Sequence, residues 1–335
     1  MDQVGFFRWD YPLRSTMMLY SMIGKHYDLE VVFFKGDGVD MENELVTGIV
    51  LRKNHFEEIT TKIPKIINNS PYKHDREDLH NFLSSRSHFM FKPFGGKLKE
   101  YKHFESEGSL KHILIPSTRI KNIAHVEKFV EQHSKVVFKP VNADKGQGIF
   151  SLAKQDDGYL YESRQISEQI EKENFQQFYN EHIKQKRLLM SKYIESKTVS
   201  GHPFDIRINF EKSHEGKWKT PQQYARVGYN DKVTSNLSTG GGSTRLSKFL
   251  QTEYSSSDIN LINKQLTEIT RKLPSVLEKM VDFEFNSIGL DLGIDNRTKK
   301  VYMFETNSYP GASNAIGQVA LLRVGYMRYY LDNLS

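Results

Sequence analysis

Three β-rich runs follow one another between residues 187 and 230, and they constrain the fold class more than any other feature. They are Arg187-Leu188-Leu189-Met190, Phe204-Asp205-Ile206-Arg207-Ile208-Asn209-Phe210 and Gln223-Tyr224-Ala225-Arg226-Val227-Gly228. Short runs rich in branched and aromatic residues read as strands, and these three read as antiparallel. A further pair closes the pattern, Ser287 to Ile294 and Lys300 to Glu305, around a turn at Asp295-Asn296-Arg297. Strand and helix signals therefore do not alternate throughout. That argues for an α+β fold rather than one doubly wound sheet.

The first 75 residues read differently. Val4 to Phe7, Leu29 to Phe34 and Gly48 to Arg52 have strand character, Ser15 to Lys25 is an amphipathic helix, and Phe56 to Ile67 has helical spacing before a short strand at Ile66-Ile67. This alternation predicts a small parallel α/β unit. Residues 76–115 are polar and basic around Gly95-Gly96. A helix is expected over Ile123 to His133, a polar helix-rich stretch over 164–186, and a long helix capped by Ser257 or Asp258. The apolar stripe of that last helix is Ile262, Leu266, Ile269, Leu273 and Leu277, at steps of three and four. The divisions expected are an N-terminal α/β domain over 1–90, a lobe with a Gly-rich loop over 91–185, and a C-terminal lobe over 186–335.

With 335 residues the chain is long enough for two or three packed subdomains. It has no cysteine, which excludes disulfides and thiolate metal sites. The opening residues lack a signal peptide's basic start and apolar run, and no stretch approaches the ~20 apolar residues of a membrane helix. A cytoplasmic location without a membrane span is expected. The net charge of +6 fits a Lys-rich surface or an anionic ligand. No nucleic-acid-binding module accompanies it, so no nucleic-acid partner is expected.

Three motifs carry chemistry. In Phe138-Lys139-Pro140-Val141-Asn142-Ala143-Asp144-Lys145-Gly146-Gln147-Gly148-Ile149 a strand ending in lysine enters a Gly-x-Gly loop, and Phe150 to Ala153 reads as its hairpin partner. Glycines let backbone N–H groups approach phosphate, and lysine adds a compact charge. The order differs from a Walker loop, and no helix opens after it as in a dinucleotide fold. An ordinary hairpin turn is the plainer reading. The second motif is Asp291 with Glu305-x-Asn307. If their strands pair, two carboxylates and an amide oxygen converge, a hard donor set suited to Mg²⁺. Scattered acids around a turn are the alternative. The third is Asp205-Ile206-Arg207, Ala225-Arg226 and Asn236-Leu237-Ser238-Thr239-Gly240-Gly241-Gly242. Two arginines on successive strands can pave a face for phosphate or carboxylate; alternatively Arg207 points to solvent and pairs with Asp205 or Glu211.

The order of these motifs resembles the ATP-grasp superfamily over about residues 97–311. It is most similar to the YheC/YheD spore-coat-associated type, through Lys139-Pro140-Val141-Asn142, Phe204-Asp205-Ile206-Arg207, Ala225-Arg226-Val227-Gly228, Ser235-Asn236-Leu237-Ser238 and Phe304-Glu305-Thr306-Asn307-Ser308-Tyr309-Pro310-Gly311. Two positions depart from the pattern. Ala143-Asp144 stands where a Gly-Ser is usual, and Gly96-Lys97-Leu98 where an Asp-Lys-Trp is usual, with Lys99 a competitor of Lys97.

The resemblance implies two α+β lobes around ATP. Lys97, Lys139 and Lys145 would contact the nucleotide, and Gly146, Gln147 and Gly148 would cover its phosphates. Met190 to Ile194, including Lys192 and Tyr193, would form the hinge strand beside adenine, with Glu195 near the ribose. Asp291, Glu305 and Asn307 would hold one or two Mg²⁺ ions, with Mn²⁺ as a substitute, and Arg207, Arg226 and Asn236 would stabilise the transferred phosphoryl group. The implied activity is ADP-forming ligation of a carboxylate donor to an amine acceptor through an acyl phosphate, on an amino acid, a peptide or a cell-envelope polymer. The alternative is an ATP-binding structural or regulatory protein of a surface or spore-coat layer.

Overall fold

The computed structural model describes residues 1–140, 148–163, 165–228, 241–312 and 315–334. Three sheets organise it.

The first sheet contains β1 (Asp2–Phe7), β2 (Leu29–Asp40), β3 (Leu45–Arg52), β4 (His55–Lys62), β5 (Ile66–Asn68) and β6 (His88–Phe89), in the order β4-β3-β2-β1-β5-β6. Its β2-β1-β5-β6 half is parallel and its β2-β3-β4 half antiparallel, so the unit is mixed rather than purely parallel. Helices α1 (Arg14–His26) and α2 (Glu77–Arg86) connect its strands. The segment from Phe56 is strand β4, not a helix. Its Phe56, Ile59 and Ile63 have helical spacing, but Thr60 and Thr61 favour strand, and residue-by-residue pairing with β3 decides the outcome.

After α3 (Lys97–Glu107) comes the second sheet: β7 (Ser117–Arg119), then α4 (Ile123–His133), β8 (Lys135–Pro140), β9 (Phe150–Gln155), β10 (Gly158–Ser163), β11 (Ser167–Glu171), α5 (Phe175–His182) and β12 (Leu188–Lys192). As expected, β8 and β9 are antiparallel hairpin partners. The stretch 164–186 is only partly helical, since β11 opens it by pairing with β10. Strand β12 pairs with β8 and β7. It therefore belongs to a different sheet from the two β-rich runs that follow it in sequence.

Those runs are β13 (Phe204–Lys212) and β14 (Trp218–Val227). With β15 (Gly242–Arg245), β16 (Ser287–Ile294) and β17 (Val301–Asn307) they form an antiparallel sheet in the order β15-β14-β13-β16-β17. Helices α6 (Leu246–Glu253) and α7 (Ser256–Glu278) pack on its apolar face. Helix α7 is capped by Ser255, whose hydroxyl accepts from the Asp258 N–H, ahead of the expected Ser257 or Asp258. Its whole predicted stripe is buried. Each such leucine contributes roughly 1.5–3 kcal/mol relative to exposure.

The cores cut across sequence order. Phe94, Phe104, Leu110 and Ile113 share the core of the C-terminal sheet. The last helix, α8 (Ile316–Asp332), buries Ala320, Val324, Tyr326 and Met327 against Val4, Phe6, Tyr20 and Phe33 of the N-terminal unit.

Candidate active site

Strand β13 sorts its side chains by parity. Phe204, Ile206, Ile208 and Phe210 enter the apolar core, while Asp205, Arg207, Asn209 and Glu211 take the opposite face. That polar face is buried too, with Asn209 and Glu211 fully enclosed. Buried charge is costly unless it is paired, and each of these groups meets a partner from a neighbouring element. Arg226 donates to Asp205 in a two-pronged bond, Nε to Oδ1 at 2.5 Å and Nη2 to Oδ2 at 2.8 Å. Arg207 grips Asp291 in the same way, with Nη2 2.8 Å from Oδ2. Asn209 Nδ2 donates to the Gly311 carbonyl at 3.0 Å. Glu211 accepts from Arg323 of α8, Nη2 to Oε1 at 2.7 Å, and from the Ser287 hydroxyl.

Register explains the pattern. Asp205 lies opposite Arg226, Arg207 opposite Asp291, and Asp291 opposite Glu305. A row of charge thus crosses four strands. Directly opposed residues on one face of a sheet have Cβ atoms about 4.5–5.5 Å apart, so such pairs interact. Arg226 also reaches the diagonal carboxylate, with Nη2 2.8 Å from Asp291 Oδ1. Burial disfavours the charge on both arginines, but Asp291, and for Arg226 also Asp205, holds their pKa values above the usual arginine range. The reading of Arg207 as a solvent-facing partner of Asp205 or Glu211 is thereby corrected.

The expected metal ligands converge: Asp291 and Glu305 are register partners, and Asn307 Nδ2 donates to Asp291 Oδ2 at 3.2 Å. They differ in availability. Asp291 is buried and accepts from Arg207, Arg226 and Asn307, which fills the roughly four lone-pair positions of a carboxylate. Glu305 is far more exposed and faces Lys97 Nζ at 3.5 Å. Among the described residues no cluster of three or more His, Asp or Glu is gathered. Two carboxylates and an amide oxygen remain a hard donor set that fits Mg²⁺. To join it, Asp291 would exchange one arginine bond for the ion.

Phe304 is the extra residue of a β-bulge in this strand pair, because Asp291 pairs with Glu305 and Leu292 with Met303. Its ring lies on Gly293, where an added Cβ would collide with Phe304 Cζ. So placed, Phe304 packs against the cluster of Ile115, Ile194 and Tyr302, and the Lys139 ammonium stands 5.9 Å from its ring centroid. Burial lowers the Lys139 pKa, Lys97 lowers it further, and Glu305 opposes them. Lys139 and Lys97 are therefore brought together beside Glu305.

The expected hinge residues adjoin the same cluster. The Lys192 N–H donates to the Pro116 carbonyl at 2.9 Å, and its ammonium lies 5.6 Å from the Tyr302 ring. The Tyr193 N–H donates to Lys135, and burial first, then Glu195, pushes the Tyr193 hydroxyl up to about 12. Ile194 is buried. Glu195 is exposed, with its carboxylate 4.0 Å from Arg297. Gly148 enters β9 at φ +69, a conformation glycine adopts without strain. Lys145, Gly146, Gln147 and Asn236 lie outside the described residues.

Sequence reading left out several contributors. Asp205 was visible only as part of the Asp-x-Arg signature, and the strand register shows it to be the partner of Arg226. Glu100 of α3 accepts from the Thr306 hydroxyl within the Glu-Thr-Asn signature, and burial first, with Glu305 also contributing, raises its pKa. Tyr224 lies opposite Arg207. Two-residue alternation along β13 and β14 was the available signal for Asp205 and Tyr224; nothing local marked Glu100.

The family description "YheC/D like ATP-grasp" matches residues 86–323, most of the chain. The chain belongs to the YheC/D-like ATP-grasp family. As an ATP-grasp protein it is 22% identical over 294 residues to the endospore coat-associated protein YheD of Bacillus subtilis (strain 168), covering 84% of this chain and 64% of that protein. It is also 22% identical over 208 residues to YheC of the same strain, covering 60% of this chain and 56% of YheC. The chain thus spans less than two thirds of either relative. Its ATP-grasp fold is similar to that of D-cycloserine synthetase DcsG (TM-score 0.56, 10% identity, covering 98% and 99% of the two chains). It is also similar to a Chryseobacterium gregarium RiPP-associated ATP-grasp ligase in complex with ADP and a leader and core peptide (TM-score 0.51, 12% identity, 96% of each chain). At these identities the likeness concerns the fold, and function must be argued from the site.

Proposed function

We propose that this chain is an ATP- and Mg²⁺-dependent ligase that activates a carboxylate as an acyl phosphate and joins it to an amine. The observation that carries this reading is the charge row: Asp205, Arg207, Arg226, Asp291 and Glu305 on one face, with Lys97 and Lys139 at its end. Phosphoryl transfer needs positioning and charge neutralisation more than covalent chemistry. Arg207 and Arg226, positioned by Asp291 and Asp205, would meet developing negative charge. Lys97 and Lys139 would bind phosphate oxygens, and the apolar wall of Ile115, Ile194 and Phe304 suits a planar base. Glu305, Asn307 and Asp291 would hold Mg²⁺, which neutralises phosphate charge when bound. Lys145, Gly146, Gln147 and Gly148 are proposed to cover the phosphates, and Asn236 to share in stabilising the phosphoryl group. ATP-grasp proteins similar in fold include named ligases, which supports a ligase class.

The test is ADP and phosphate release with Mg²⁺ and pooled amino acids, peptides and amines, for the native chain and Glu305→Ala. Turnover that requires both an acid and an amine and disappears in the variant supports the proposal. AMP and pyrophosphate would refute the acyl-phosphate route.

One observation favours a second reading. Asp291 is fully engaged by arginines and Asn307, and the curated relatives are named for the spore coat. A chain that binds ATP without turnover, as a coat or regulatory component, would show Mg²⁺-dependent ATP binding with no ADP release under any substrate pool.

A further inference from the structure

The charge row does not end at a flat surface. Tyr224, opposite Arg207 in register, also lines an open groove of about 1120 Å³. The groove runs along the edge of the C-terminal sheet between β14, β15, α6, α7 and the first turn of α8. It exceeds the roughly 300–1,000 Å³ typical of compact small-molecule sites.

Its wall has a definite chemistry. Gln222, Gln223, Ser247, Gln251, Asn263 and Gln318 offer uncharged donors and acceptors. Arg245 is the one charged residue lining it among the described residues, and β15 places Arg245 opposite Tyr224, on the face of the charge row. Among the described residues no carboxylate lines it. The backbone contributes as well. The β14–β15 ladder stops at Tyr224–Arg245, while β14 continues back to Trp218. On that side no described strand pairs with Pro221–Gln223, which themselves line the groove. Pro221 has no N–H and offers only its carbonyl, so Gln222 and Gln223 carry the main-chain donors of this edge; an extended chain laid there gains main-chain hydrogen bonds while its alternate side chains find pockets.

We propose that this groove seats an extended peptide segment with neutral or acidic side chains, aligned on the open edge of β14 and Arg245, with its reacting end at Tyr224 beside Arg207 and Asp291. The inference rests on the ligase reading and narrows it: the substrate is a chain rather than a free amino acid.

The experiment uses the full chain with Mg²⁺ and a non-hydrolysable ATP analogue, and a displayed library of random dodecapeptides. Selected peptides are then measured by fluorescence anisotropy against the native chain, Arg245→Glu and Gly317→Phe. An added Cβ at Gly317 meets nothing within 4 Å, so the substitution starts in open space at the first turn of α8. Expected are enriched neutral or acidic peptides that bind both variants at least ~10-fold more weakly and lose binding when cut to a dipeptide, while analogue binding is unchanged in all three proteins. No enrichment, or hits that bind the variants as well as the native chain, overturns the proposal. Binding of dextran to the native chain but not to the variants would assign the groove to a glycan and likewise overturn it. Loss of analogue binding by the native chain would count against the ligase reading instead, and the selection repeated without nucleotide would still decide the groove.

Discussion

Arg226 serves two carboxylates at once, donating from Nε to Asp205 Oδ1 at 2.5 Å while its Nη2 stands 2.8 Å from Asp291 Oδ1. Asp291 is in turn held by Arg207. The site's charges are therefore also its structural frame, and the two roles separate by mutation.

Asp291→Ala leaves two buried guanidiniums short of a partner. Breaking a buried pair by removing one member costs about 3–5 kcal/mol. Glu305 is partly exposed and its ion pair with Lys97 is long, so Glu305→Ala should change stability by less than about 1 kcal/mol. Urea unfolding should show this contrast, while both variants lose Mg²⁺-dependent ATP turnover. Equal unfolding midpoints for the two variants would refute the division of roles.

The pair Glu211–Arg323 joins β13 to α8 with no exposure of Glu211, and Arg323 Nη2 also donates to the Pro310 carbonyl at 3.0 Å. Arg323→Met alone should destabilise by about 3–5 kcal/mol. The double variant Glu211→Leu/Arg323→Met should recover most of that loss, because no unpaired charge remains. A double variant as weak as the single one would show that packing rather than charge dominates.

His88 stacks on Tyr330 at 4.2 Å, and burial, helped by Lys92 and Lys212, lowers its pKa to about 4. The unfolded chain protonates near 6.5, so between these values it binds more protons than the folded chain, and stability must fall as pH falls through that window. The cost by pH 4.5 is on the order of 2 kcal/mol. His88→Phe should flatten the pH dependence of the melting temperature between pH 7 and 4.5; an unchanged slope would remove His88 from the account.

Gly293→Ala would drive a methyl group into the Phe304 ring. Overpacking of this kind costs typically about 1–3 kcal/mol, and displacement of Phe304 should weaken ATP binding several-fold. Calorimetric titration with ATP and Mg²⁺ checks the second effect independently of the first.

Lys139 is disfavoured as a cation by burial and by Lys97. Since its folded pKa is depressed, stability should rise with pH through the window between that lowered value and 10.5. Lys139→Met should melt no lower than the native chain without nucleotide, yet lose the upward shift that ATP produces. A retained shift would place the phosphates elsewhere.

Legibility followed the range of the interactions. The stripe of α7 and the strand Lys135–Pro140 were readable because their periods are local. The α+β class followed from the run of successive strands. What could not be read was register: nothing near Arg207 in sequence says that Asp291, 84 residues away, will lie opposite it. For the same reason β4 was misread, since Phe56, Ile59 and Ile63 satisfy a helical period until β3 lies alongside. Glu100 was invisible because its partner Thr306 comes from a distant strand.

Helix α8 completes the core around Val4, Phe6 and Tyr20. During synthesis the N-terminal sheet therefore keeps this apolar surface uncovered until α8 has emerged from the ribosome. Vectorial folding can finish the second sheet first, because the first lacks its apolar cover and the Glu211 of the third lacks Arg323 until α8 arrives. A chaperone that shields early apolar surface would have its natural target on α1 and β2, and a ribosome stalled before α8 would leave a nascent chain whose N-terminal unit is still open to proteases.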